Sequence, residues 1–288
     1  MKGLLRLMII QPLRIYLMSF RFFYTVSIAL LFCCVNLTPS EISFRGSLAL
    51  AEVVTPEARV TEANRFISQG FQKLYEGDSL AAIQAWQQAI GILRESNVRS
   101  AFPQETRGAE VIVLSFLGHV YQSQNQYQQA AEAYEQALLL VRESNVPYIE
   151  AGILNGLGNA YRSLGQYQQS LGVIMQALEL ARQLDHRLEE AIALTNLSTT
   201  YLALQDYQQA LDAANQARSI AYEGGDRDNE GNALISLAQV HFAMGNFEQV
   251  ITSLEQAIIL FQETKNEWGE ALARRTLEAV RSSIEARQ

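Results

Sequence analysis

From Pro56 onward, apolar positions recur at helical spacing in short blocks. Leu154, Leu157, Ala160 and Tyr161 form one block, and Leu171, Ile174, Ala177 and Leu178 form the next. Steps of three and four place each set on one face of an amphipathic helix. The break between these blocks falls at Gly165-Gln166, and similar breaks stand at Asn125-Gln126, Gln205-Asp206 and Gly245-Asn246. There Gly or Asn can take the left-handed conformation that ends a helix. The predicted unit is therefore a helical hairpin. Ala, Leu, Gln and Glu dominate and β-branched runs are scarce, so almost no strand is expected.

The hairpins repeat. Leu117, Leu157, Leu197, Leu237 and Leu277 stand 40 residues apart, as do Tyr127, Tyr167, Tyr207 and Phe247, and Ala137, Ala177, Ala217 and Ala257. A fixed period of this length is the mark of a solenoid, in which each unit buries its apolar face against its neighbours. The period places units at about 110–145, 150–185, 190–225 and 230–265. A degenerate unit at about 57–98 keeps Gly70, Gly77-Asp78, Ala82, Trp86 and Ala89. The string Arg-Glu-Ser-Asn-Val at 94–98 and again at 142–146 ties it to the next unit with eight extra residues around Arg99–Arg107. At the far end, 268–286, Arg274, Glu278 and Arg281 replace apolar positions while Leu277 stays, the composition of a capping helix.

Leu117-Gly118-x-x-Tyr121, Leu157-Gly158-x-x-Tyr161 and Leu197-Ser198-x-x-Tyr201, each followed by Tyr127-x-x-Ala130, Tyr167-x-x-Ser170 and Tyr207-x-x-Ala210, resemble the tetratricopeptide repeat motif. In the degenerate unit Gln69 and Lys73 stand where the motif has Leu and Tyr. The resemblance implies an all-α fold, a right-handed α-solenoid of stacked hairpins. The 40-residue period is longer than the family's usual 34. It resembles the variety found in scaffold proteins and in exported bacterial proteins that join such repeats to a caspase-like domain, although this sequence contains no such domain. HEAT or armadillo stacking shares the period but fits the Leu-Gly-x-x-Tyr pattern poorly.

A second periodic set, Glu110, Glu150, Glu190, Glu230 and Glu270, is expected to open each first helix. A carboxylate in the first turn faces unpaired N–H groups and the positive end of the macrodipole, which contributes ~0.3–1 kcal/mol when exposed.

Charge narrows the partners. Five of the 22 basic residues and one of the 30 acids lie before Glu52, leaving 17 basic against 29 acidic groups from Glu52 onward. Such a body repels phosphate backbones and anionic headgroups, so no nucleic-acid partner is expected. Both cysteines, Cys33 and Cys34, lie in the N-terminal apolar run, so the body has no disulfide framework and no thiolate metal site.

That run, Phe22 to Leu37, follows Arg14 and Arg21 and precedes Ala49-x-Ala51. Basic flank, apolar core and Ala-x-Ala are the parts of a secretory signal. Its 16 residues would span about 24 Å as a helix, short of the roughly 30 Å hydrocarbon core. Residues 1–51 thus read as a signal peptide cleaved after Ala51, or else as an uncleaved membrane anchor. Met18 is an alternative start. Each version exports the body 52–288, periplasmic or secreted, with contact to a membrane only through the N-terminal segment.

Chemistry is sparse. No Gly-rich phosphate loop, His-Glu-x-x-His pair or nucleophile elbow occurs. His119 and His241 stand three repeats apart and read as ordinary helix residues, and His186 as a solvated turn residue. No metal, cofactor or catalysis is expected. Family resemblance instead implies a groove lined by exposed positions of the first helices: Ser115, His119 and Gln122; Asn155, Asn159 and Arg162; Thr195, Thr199 and Leu202; Ile235, Gln239 and Phe242. Asn155 and Asn159 can grip an extended peptide backbone, and Arg162 can pair a carboxylate. Gln128-Gln129 and Gln168-Gln169 read as the wet face of the second helices. The expected function is a non-catalytic scaffold or adaptor that holds a peptide or helix of another protein. The alternative is a regulatory subunit of a separately encoded enzyme, such as a caspase-like protease.

Overall fold

The computed structural model describes residues 55–144 and 146–285, and the N-terminal signal or anchor lies outside them. Among the described residues there are twelve helices and no strand. The degenerate hairpin is α1 (Pro56–Tyr75) and α2 (Ser79–Leu93), and the short α3 (Ser96–Ala101) leads from the repeated string into the insertion. Four hairpins follow: α4 (Pro103–Ser123) with α5 (Tyr127–Ser144), α6 (Pro147–Ser163) with α7 (Tyr167–Gln183), α8 (Arg187–Ala203) with α9 (Tyr207–Glu223), and α10 (Arg227–Met244) with α11 (Phe247–Glu263). The last helix, α12 (Glu267–Glu285), closes the stack.

Each hairpin turns through one left-handed residue: Asn125, Gly165, Gln205 and Gly245 have φ of 61°, 77°, 64° and 81°. At every turn the next N–H reaches back to the last turn of the helix, as in Gln126 N to Tyr121 O at 2.8 Å, which satisfies carbonyls the helix leaves open. Gln205 takes this conformation without the freedom of Gly or the local bonding of Asn.

Within a hairpin, one relationship sets how closely the helices approach. Gly118 and Tyr134 lie sixteen residues apart, and a Cβ on Gly118 would come within 2.7 Å of the Tyr134 ring. Gly70 is likewise filled by Trp86, and Gly158 by Ile174. The same register pairs buried Ser198 with Ala214, and buried Ala238 with Leu254. Small faces large where the first helix carries Gly; where it carries Ser, the second helix carries Ala. Between units, Tyr134 also fills the space over Gly156 and Phe261 that over Gly269, while within its own hairpin Phe261 covers Gly231. The recurrent leucines 117, 157, 197, 237 and 277 are all buried. These contacts form two apolar clusters, one running from Ala63 to Ala233 and one from Ala214 to Val280.

The periodic glutamates do more than face a helix dipole. Glu150, Glu190, Glu230 and Glu270 lie in the first turns of their helices, but Glu110 lies mid-helix in α4, so the first-turn reading fails there because Pro103 starts that helix early. Glu150 accepts from Arg142 at 2.6 Å and Glu190 from Arg182 at 3.0 Å, each arginine ending the preceding unit's second helix. Glu110, almost wholly buried, is bound by Arg94 at 2.5 Å and by Arg99 of α3. The glutamates therefore staple successive units. Tyrosines do the same on another face, Tyr161 donating to Glu135 at 2.6 Å.

Candidate functional site

The first helices α4, α6, α8, α10 and α12 touch one another in succession, whereas the second helices of neighbouring units have no comparable packing. The side where neighbouring helices approach most closely is the inside of a curved stack, so the first helices line the inner face.

All twelve groove positions named from the sequence fall on these first helices, and none is fully exposed. The expectation of exposed positions is corrected most strongly on α6. Asn155, Asn159 and Arg162 are 0%, 6% and 9% exposed, because Asn155 is held by Glu189 and Asn196 of the next first helix and Arg162 folds back on Asn159. Gln122 is equally buried, and its Oε1 accepts from the Tyr134 hydroxyl at 3.4 Å. Phe242 belongs to the second apolar cluster and packs edge-on against Phe247. Ser115, His119, Thr195, Thr199, Leu202, Ile235 and Gln239 are half-buried.

Several polar groups are already engaged. Ser115 donates to Val111 O at 2.8 Å, Thr195 to Ala191 O at 2.9 Å and Thr199 to Asn196 O at 2.9 Å. Such bonds to the helix's own carbonyls leave these hydroxyls as acceptors only. His119 stacks edge-on against Tyr134, and burial holds its imidazole down to about 4, so it is neutral at pH 7. His186, expected in solvent, is half-buried against Tyr148, with its Nδ1 unpartnered.

One residue escaped the sequence reading. Glu189 is 6% exposed, and its Oε2 accepts from Asn155 Nδ2 at 2.8 Å. Asn155 Oδ1 in turn receives Asn196 Nδ2 at 3.5 Å. Burial pushes the Glu189 carboxyl up to about 6, partly offset by the Asn155 bond. On the same face of α6, Arg162 Nη2 donates to Asn159 Oδ1 at 3.3 Å while its Nε has no partner, and burial lowers its basicity. Gln122 Nε2 and Asn232 Oδ1 are also buried without partners. The adjacent Glu190, an evident first-turn acid, drew the sequence argument away from Glu189.

This geometry can be set beside known proteins. Tetratricopeptide-repeat models match residues 113–147 and 150–223, and a model described as anaphase-promoting complex subunit 5 matches 231–277. No curated protein matches the chain. Among solved structures, a Rap protein complexed with competence and sporulation factor is similar at 18% identity and TM-score 0.63, covering 79% of this chain and 65% of that one. The apo form of RapI is similar at 18% identity and TM-score 0.56, covering 79% and 85%. A putative kinesin light chain with TPR-like repeats from Podosopora anserina is similar at 16% identity and TM-score 0.56, covering 72% and 98%. At these identities the likeness concerns the fold. The chain carries tetratricopeptide repeats at 113–147 and 150–223, set in an all-helical solenoid of stacked hairpins.

Proposed function

We propose that this protein is a non-catalytic scaffold that holds a segment of another protein against the inner face of its first helices. One observation carries the reading: buried polar groups without partners gather there, at Gln122, Arg162 and Asn232. A buried polar atom left unpaired costs about 1–3 kcal/mol. A surface serving only to stack repeats has no reason to retain several of them, whereas a ligand supplies the missing partners. The Rap protein of similar fold, solved with competence and sporulation factor, supports a binding role for such a stack. The repeats are proposed to be of the long 40-residue variety, since α6, α8, α10 and α12 start at 147, 187, 227 and 267.

We also propose that the body works outside the cytoplasm, delivered there by residues 1–51. Arg14, Arg21, the apolar run and Ala49-x-Ala51 support that reading.

The binding proposal is tested by blocking the groove. Thr199→Arg and Gln239→Arg place bulk on half-buried inner positions, while Gln168→Arg and Gln208→Arg place it on exposed second-helix positions. Partner recovery from the native cell should fall with the first pair and persist with the second. The opposite result would place the working surface on the second helices.

A further inference from the structure

Five charged side chains of the described residues are buried: Glu110, Arg162, Glu189, Glu190 and Glu230. Three have partners. Glu110 meets Arg94 and Arg99, Glu190 meets Arg182 and Arg187, and Glu230 meets Arg227 at 2.8 Å. This fold therefore pairs a buried charge where the charge serves the fold. Arg162 and Glu189 are the exceptions, neither forming an ion pair with a described residue, and both lie along the inner face of α6.

Their placement is specific. Asn155, Asn159 and Arg162 are spaced i, i+4, i+7, which puts them on one face, and Glu189 is held at the Asn155 end by the 2.8 Å bond. Seven residues at 1.5 Å rise separate the two ends by about 10 Å, too far for the charges to satisfy each other. Near Arg162 the open valence is a donor, since Arg162 Nε has no acceptor. At the other end the open valence is a carboxylate. Helix ends partly offset both charges, Arg162 being in a last turn and Glu189 in a first, but by much less than burying an unpaired ion costs.

Resting on the groove reading above, we infer that the α6 row binds an extended segment of the partner protein carrying an Asp or Glu side chain at Arg162 and, three or four residues away, a cationic side chain at Glu189. An extended chain advances about 3.3 Å per residue, which sets that spacing. Between the charges, a backbone carbonyl of the segment is assigned to Asn159 Nδ2. A single guanidinium matches a monoanion, and Glu189 in the same row opposes a dianion, so a carboxylate is selected over a phosphate.

The test is a double-mutant cycle on the full chain. The probe is a fluorescent, acetylated and amidated glycine peptide with one Lys and one Asp four positions apart. Replacing the peptide's Asp by Asn should weaken binding to the native protein about tenfold, and should cost nothing further on the Arg162→Gln protein. Replacing its Lys by Gln should behave the same way with Glu189→Gln. Phosphoserine in place of Asp should bind more weakly than Asp, and an Asn peptide with a free C-terminus no better than its amide. Both protein variants should melt no lower than the native chain, since each removes an unpaired buried charge. Additive losses, no saturable binding at about millimolar peptide, tighter binding of phosphoserine or of the free C-terminus, or lowered melting of both variants would each overturn the assignment. Groove blocking that leaves partner capture intact would sink the scaffold reading while leaving this cycle unaffected, so the two can fail separately.

Discussion

Ile174 occupies the space that a side chain on Gly158 would need, sixteen residues away across the α6–α7 hairpin. Gly158→Ala should therefore destabilise the protein by about 1–3 kcal/mol, the usual cost of overpacking a filled interior. One repeat later, Ser198 and Ala214 hold the same two positions and both are buried. Ala214→Ile alone should cost a similar amount, and Ser198→Gly with Ala214→Ile should recover at least half of it. Denaturant midpoints of the single and double variants check this. Strict additivity of the two changes would mean the positions do not face each other.

Gln205 closes the α8–α9 turn at φ 64°, a conformation that disfavours a residue with a Cβ by roughly 1–2 kcal/mol. Glycine holds the equivalent turns at Gly165 and Gly245. Gln205→Gly should raise stability by about 1 kcal/mol once the greater freedom of the unfolded glycine is set against the relief. A midpoint that falls instead would show that the turn relaxes to negative φ in solution.

Glu189 supplies a pH signature. Its carboxyl is raised from 4.5 to about 6 by burial, so the folded state holds this proton more tightly than the unfolded chain. The stability this confers is full below pH 4.5 and is lost as pH rises through about 6. That loss amounts to about 2 kcal/mol. Glu189→Gln should exceed the native chain by a comparable margin at pH 7, with the gap closing below pH 4.5. A variant less stable than the native chain at pH 7 would mean that the charge is compensated inside the fold.

The hairpins were legible because their signals are local. Leucines at fixed intervals and Gly or Asn between apolar blocks report on one helix or one turn at a time, and the left-handed residues fall at Asn125, Gly165 and Gly245 as that chemistry requires. The glutamate staples were less legible. The arginine eight residues upstream is present for Glu150 and Glu190, but Tyr222 and Gln262 stand in its place before Glu230 and Glu270, so the partner has no full period of its own. Burial of Asn155, Asn159 and Arg162 was not legible at all. It depends on how closely neighbouring first helices approach, and that distance is set by Tyr134 against Gly156, a contact between units that the helix's own periodicity does not encode.

Export is checked chemically. With the basic flank, the apolar run and Ala49-x-Ala51 acting as a signal, the mature protein should begin at Glu52 on N-terminal sequencing and be released without detergent. An intact N-terminus on protein that only detergent extracts would establish the anchor. Recovery of the untrimmed chain from the cytoplasm would remove the export proposal altogether.

The inner face of the first helices is proposed to hold the partner. Site-specific photo-crosslinking in the native cell tests it most directly, with the reactive side chain at Thr199 or Gln239 on the inner face and at Gln168 or Gln208 on the outer helices. One protein should be captured covalently from both inner positions, mapped to a single extended segment of that protein, and none from the outer pair. Capture of that segment from Gln168 or Gln208, with Thr199 and Gln239 silent, would contradict it.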